Sequence, residues 1–213
     1  MRGAARRACS LAGVAAVAAL AAAVSLGYRG PHHAGIHFWS AYTPARLAAG
    51  HWWTLFGSAL LVAHLKLFGI NTALLVGVVL PYAWREGSRR ALTVFFAGHV
   101  VATLAVAAVV LPLAVAGWGP AQIVRTQVDS GVSAGIAAVA AAAAVSTRRR
   151  RVGRVLLGGL LVFFGAHLVV DHTLSEAEHL IALATGAALG RRWSISSAPR
   201  AALHRRFMAS PAG

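Results

Sequence analysis

The sequence predicts an all-α, polytopic membrane protein: a bundle of six transmembrane helices with both termini in the cytoplasm. Three observations lead there. The 213 residues are 58% hydrophobic and 12% charged, with a mean hydropathy of +0.69; a soluble domain of this size cannot hide that much apolar surface. The apolar residues fall in long runs separated by short polar segments. The basic residues are clustered between alternate runs. All but Arg29, Arg46, Lys66 and Arg125 lie at 2–7, 85–90, 148–154 or 191–206, while Asp129, Asp171, Glu176 and Glu178 fall in or beside the intervening loops. Under the positive-inside rule the arginine-rich segments are cytoplasmic and the number of spans is even. The net charge of +15 therefore reads as membrane topology and not as a nucleic-acid surface, since no cluster is attached to a soluble domain that would organise it.

Taken in order, the first span is 8–28, an alanine-rich run behind Arg2, Arg6 and Arg7. It resembles a secretory signal, but its apolar run is long for one, and the charge alternation works only if it stays as a span. A loop at 29–52 carries His32, His33, His37, Phe38, Trp39 and Trp52. The apolar stretch 53–84 is too long for one simple span, so 53–63 is expected as an interfacial piece and 64–84 as span two. Span three is 91–114. An outer loop at 115–130 contains Gly117, Gly119 and Pro120. Spans four, five and six follow at 132–147, 153–170 and 178–190. The tail from 191 is basic, rich in Ser, Pro and Ala, and expected to be poorly ordered. Three parts result: 1–28 (cytoplasmic N-terminus and first span), 29–190 (the core) and 191–213 (the cytoplasmic tail). The tryptophans mostly fall near predicted interfaces, as an aromatic belt would. The single cysteine, Cys9, cannot close an intrachain disulfide.

Two polar residues stand out at matched depth. Ser133 precedes the arginine run starting at Arg148 by 15 residues, and His179 precedes Arg191 by 12. At about 1.5 Å per residue these are rises of roughly 22 and 18 Å. In a hydrocarbon core roughly 30 Å thick, both side chains come to rest about 10 Å below the outer surface. Span six carries Ala182, Gly186 and Gly190 at four-residue spacing, and His179 joins that face. Span four is nearly all alanine, with Ser133, Ala137, Ala141 and Ala144 on one face. Small-residue faces let membrane helices approach closely. If these two meet, an imidazole stands beside a hydroxyl and can take its proton during nucleophilic attack. Ser133 would also start a helix, where N–H groups stabilise a developing oxyanion.

Each residue has a plainer role available. Serine and glycine at the start of a transmembrane helix cap and pack it, and Ser130, after Asp129, is the more obvious cap. A histidine near an interface is often only a satisfied polar group. An ionisable group on a small-residue face favours function, and the matched depth favours the pair. A metal site is the rival chemistry: His167, Asp171, His172, Glu176, Glu178 and His179 cluster around one loop with ligand-capable types, but without a standard zinc-site spacing. No metal or cofactor is expected.

The chain resembles the rhomboid family of six-helix intramembrane serine proteases over roughly 52–191. Trp52-Trp53-Thr54-Leu55-Phe56 resembles the start of the family's tryptophan–arginine loop, with Thr54 where arginine is usual. Asn71, followed by Thr72-Ala73-Leu74-Leu75, resembles the second-span asparagine of the oxyanion hole. Gly87-Ser88-Arg89-Arg90 resembles the turn into span three. Gly131-Val132-Ser133-Ala134 resembles the nucleophile motif, and His179, Ala182 and Gly186 resemble the sixth-span histidine and its small-residue stripe. Two further departures are Ala134 in place of glycine and Leu67 in place of the family's oxyanion histidine, with His64 one turn displaced. Ser130 with Gly131 and Gly135 offers an alternative register, but Ser130 lies 18 residues from Arg148, about 27 Å by helical rise. The depth argument favours Ser133.

The resemblance implies an intramembrane serine endopeptidase, and the alanine- and arginine-rich composition with short loops leads us to expect a bacterial plasma membrane. Ser133 would be the nucleophile, His179 the general base, Asn71 and the Ser133 N–H the oxyanion donors, and Gly131, Gly135, Ala182 and Gly186 the helix-packing positions. Its partners would be the bilayer and the transmembrane segments of other proteins, not nucleic acid. The alternative it leaves is a catalytically inactive relative that binds membrane-protein clients. A transporter has little support, with no inverted repeat evident and Lys66 as the main intramembrane charge.

Overall fold

A computed structural model describes residues 2–26, 39–62, 65–129, 131–171 and 173–208. Among these the chain is helical, apart from loops and an isolated antiparallel bridge between Tyr42 and Asp129. The helices are α1 (Arg2–Leu26), α2 (Pro44–Ala48), α3 (Thr54–Gly57), α4 (Leu65–Leu74), α5 (Leu80–Glu86), α6 (Ser88–Val115), α7 (Gly119–Val124), α8 (Ser133–Ser146), α9 (Arg150–Asp171) and α10 (Leu174–Met208). A 3₁₀ turn, Ser58–Leu60, follows α3, and a π-helical turn, Leu75–Val79, joins α4 to α5. Pro81 explains the widened turn. It has no N–H for the carbonyl of Gly77, and its ring crowds that carbonyl outward.

Among the described residues three helices are long and apolar enough to cross a membrane: Lys66–Glu86, Ser88–Val115 and Arg150–Val170, of 21, 28 and 21 residues. At about 1.5 Å per residue each reaches 30 Å or more. Leu11–Ala23 and Ser133–Ser146 are shorter apolar helices. The outward face of α9 fits a lipid surround. Val155, Val162, Val169 and Val170 are each more than 70% exposed, an apolar patch that water would disfavour by about 25 cal/mol per Å².

The core is organised around α8. Ala134, Ile136, Ala137, Ala138, Val139, Ala141, Ala142 and Ala144 are all buried, because α10, α6 and α9 pack around this one helix. Small residues make that approach possible. A Cβ on Gly186 of α10 would overlap the Ala138 carbonyl of α8, and one on Gly190 would lie 2.9 Å from Ala142 Cα. The two contacts step by four residues on both helices in the same direction, so α8 and α10 run parallel.

Gly87 makes the sharp turn between α5 and α6 at φ +91°, a left-handed conformation natural to glycine. Its N–H donates to the Ala83 carbonyl at 2.8 Å. One expectation differs from the structure. The segment after 190 continues α10 as helix to Met208; residues 191–198 carry no glycine or proline, and arginine and alanine are strong helix formers.

Candidate functional site

The site is assembled where two loops meet the upper ends of α6, α8 and α10. In the first loop, Thr54 is fully buried and its hydroxyl donates to the His51 carbonyl at 2.7 Å. The Trp53 indole N–H donates to the Trp39 carbonyl at 3.0 Å. The chain then turns into Ser58, whose hydroxyl lies 3.0 Å from Nε2 of His99 on α6, both residues being fully buried. The Ser58 carbonyl accepts the N–H of Gly131 at 3.0 Å. One turn along α6, the Thr103 hydroxyl donates to the His99 carbonyl at 2.8 Å, and the buried Tyr42 hydroxyl donates to the Thr103 carbonyl at 3.3 Å. Tyr42 and Asp129 exchange backbone hydrogen bonds of 3.2 and 2.9 Å. The first loop therefore holds both Asp129 and Gly131, the residues that lead into α8.

Ser133 is the first residue of α8 and is partly buried. A Cβ on Gly131 would stand 3.5 Å from the Ser133 hydroxyl. The N-cap residue of α8, Val132, has no side-chain cap to offer, and first-turn N–H groups are of the kind that binds anions. Gly135 lies one half-turn further on, where a Cβ would come within 2.6 Å of the Phe95 ring. Ala182 is fully buried, with its carbonyl 3.9 Å from where a Cβ on Gly98 would stand.

His179 is buried on α10, stacked on Phe164 of α9 with ring centroids 4.5 Å apart. Its Nδ1 lies 3.4 Å from Oε2 of Glu176, and its Nε2 is buried with no hydrogen-bond partner among the described residues. Extending the parallel register of α8 and α10 upward brings the level of His179 to the Gly131–Ser133 turn. Ser133 and His179 nevertheless share no hydrogen bond. Asn71 is buried on α4 and makes no hydrogen bond to either of them among the described residues. Ser130 lies outside the described residues, as do His64, His172 and the histidines at 32, 33 and 37.

Behind His179 the structure holds two buried acids. Asp129, from the second loop, meets Glu178 of α10. As carboxylates, both Glu178 oxygens lack a donor among the described residues; a proton shared between the two acids would supply one. Burial pushes the Asp129 carboxyl up from 3.8 to about 6, partly offset by the hydrogen bond with Glu178. Burial, with the nearby charges of Glu178 and Asp129, also raises the Tyr42 phenol above its ordinary value. Among the described residues no three His, Cys, Asp or Glu side chains converge as metal ligands.

Sequence alone does not single out Ser58 or His99, whose partnership spans 41 positions. Glu176 carried a signal: it stands three residues before His179, the spacing that brings helical side chains together. No protein-family model matches this chain, and no curated protein matches it either.

Proposed function

We propose that the chain is a six-span, rhomboid-like intramembrane serine endopeptidase of the plasma membrane, with both termini cytoplasmic. The observation that carries this reading is the state of the His179 ring. Glu176 faces Nδ1, and Nε2 has no partner among the described residues, at the level of the helix that Ser133 begins. With Nδ1–H donated to Glu176, Nε2 keeps its lone pair and is the basic nitrogen.

In the proposed reaction the Ser133 hydroxyl passes its proton to His179 Nε2 as its oxygen adds to a peptide carbonyl of a substrate transmembrane segment. The oxyanion is stabilised by first-turn N–H groups of α8, with Asn71 as a further donor. The imidazolium then protonates the leaving amine, and water, deprotonated by the same nitrogen, releases the acyl group. Separation of Ser133 and His179 without substrate is compatible with this sequence, since catalytic hydrogen bonds often tighten only when substrate is bound. A substrate helix must unwind to present its carbonyl, which favours glycine or proline near the cut.

Fluorophosphonate labelling of the detergent-purified protein tests the proposal. Labelling is expected to vanish with Ser133→Ala and with His179→Ala and to persist with Ser130→Ala and Ser58→Ala. A well-folded wild type that takes no label, beside an active rhomboid that does, sinks it.

One observation favours a second reading, a catalytically inactive rhomboid-like protein that binds membrane-protein clients: the Ser133 hydroxyl and His179 Nε2 do not bond each other. On that reading client binding survives Ser133→Ala and His179→Ala but fails when the Ala182–Gly186 packing face is disrupted.

A further inference from the structure

The opposite, arginine-rich end of the bundle carries a charge imbalance that the proteolytic reading does not use. A recess of about 540 Å³ opens between the last turn of α8, the first turns of α9, and α10. Arg150 and Arg154 of α9 and Arg191 of α10 line it, with Thr147 at its side and Val145 and Leu157 among its apolar lining. No carboxylate lines it. Four of the chain's five acids belong to the other end of the bundle in sequence, and the fifth, Glu86, is engaged with Arg90 at 3.0 Å and Arg85 at 4.0 Å.

The helix beneath this charge makes the imbalance worse. Arg150 and Arg154 stand at the N-terminus of the 22-residue α9, which has no acidic residue in its first turn. A helix N-terminus is already positive, so cations there are disfavoured and an anion is attracted twice over. Guanidinium groups match phosphate oxygens in geometry and charge. The recess also sits where apolar helices end, the level at which a bilayer places its phosphates, and basic pockets between transmembrane helices on the cytoplasmic side suit anionic headgroups. A neighbouring recess of about 670 Å³, lined by Arg85, Arg148 and Arg149, contains Glu86 and is partly neutralised from within.

We propose that the Arg150–Arg154–Arg191 recess is a binding site for a phosphate-bearing anion, with Thr147 as an additional hydroxyl donor and Leu157 and Val145 as an apolar flank. Two sources share this chemistry, the headgroup of an anionic phospholipid and phosphate in solution. The site is independent of whether Ser133 is catalytic.

Thermal melting of the purified full-length protein in detergent tests it, with added phosphatidylglycerol, phosphatidylcholine or inorganic phosphate. A saturable rise in Tm is expected with phosphatidylglycerol and not with phosphatidylcholine. Arg150→Gln/Arg154→Gln/Arg191→Gln should weaken it roughly tenfold or more, by losing charge-assisted hydrogen bonds, while Arg148→Gln/Arg149→Gln should retain it. An equal, arginine-dependent rise with inorganic phosphate upholds the site and assigns it to the soluble anion. The proposal is overturned if neither phosphate source shifts the wild type, if phosphatidylcholine does as well, or if both sets of variants respond alike, which would mean diffuse attraction. If the triple variant does not purify folded, lipid adducts counted by native mass spectrometry on wild type and Arg154→Gln decide the matter: adduct selectivity for phosphatidylglycerol must fall in the variant, and unchanged selectivity overturns the site.

Discussion

Ser58 and His99 are joined side chain to side chain at 3.0 Å inside the bundle, and the same serine holds Gly131 through its carbonyl at 3.0 Å. The imidazole thereby fixes, through one residue, the turn that starts α8. Replacing His99 with Phe keeps a planar aromatic ring, somewhat larger than imidazole, but leaves the Ser58 hydroxyl buried without its partner. That should cost about 1–3 kcal/mol. The expected outcome is a lower Tm together with slower fluorophosphonate labelling of Ser133 in the protein that remains folded. A normal labelling rate in folded His99→Phe would show that this pair does not position the turn.

The contact between Gly186 and Ala138 predicts a sharp contrast among helical glycines. A Cβ at Gly186 meets backbone, which cannot rotate away, whereas one at Gly158 on α9 meets nothing within 4 Å. Gly186→Ala should therefore destabilise by about 1–3 kcal/mol or more, as overpacking does. Gly158→Ala should be neutral or stabilise by up to about 1 kcal/mol, through alanine's better helix propensity. Melting the two variants side by side in one detergent checks this; equal shifts would mean that α8 and α10 do not pack as closely as described.

These two cases also mark what could be read from the sequence. The Gly186 face was legible because four-residue spacing is a property of a single helix, and the long helices were legible because their apolar runs are continuous. The pairing of Ser58 with His99, and of Asp129 with Glu178, depends on which helix ends stand side by side, and no local pattern records that. Thr54 illustrates the same limit. Its sequence position gives it no role; in the fold its buried hydroxyl closes the loop on the His51 carbonyl. Asn71, on α4, is buried without a bond to Ser133 or His179.

Glu176 supplies a prediction specific to the proposed mechanism. Its carboxylate faces His179 Nδ1 at 3.4 Å, where it orients the ring and favours the imidazolium that forms when Nε2 takes the serine proton. Glu176→Gln can still accept a hydrogen bond but brings no charge. Labelling of Ser133 should slow by roughly tenfold or more, up to the 10²–10⁴ that general-base catalysis contributes in full, with little change in Tm. Unchanged labelling would remove Glu176 from the mechanism while leaving Ser133 and His179 in it.

Asp129 makes stability depend on pH. Folding raises its pKa from 3.8 to about 6, so between those values the folded protein holds a proton that the unfolded chain has released. Stability must then fall as pH rises from about 4 to 6, the reverse of a salt-bridged carboxylate. The difference corresponds to about 2–3 kcal/mol. The groups facing Asp129 are Glu178 of α10 and Tyr42 of the first loop, and neither brings a positive charge to favour its ionised form. Asp129→Asn cannot ionise and can still donate to Glu178, so its melting temperature should vary less between pH 4 and 6 and exceed that of the wild type at pH 7. A wild-type slope that persists unchanged in Asp129→Asn would place the responsible proton elsewhere, with Glu178→Gln the next substitution to measure.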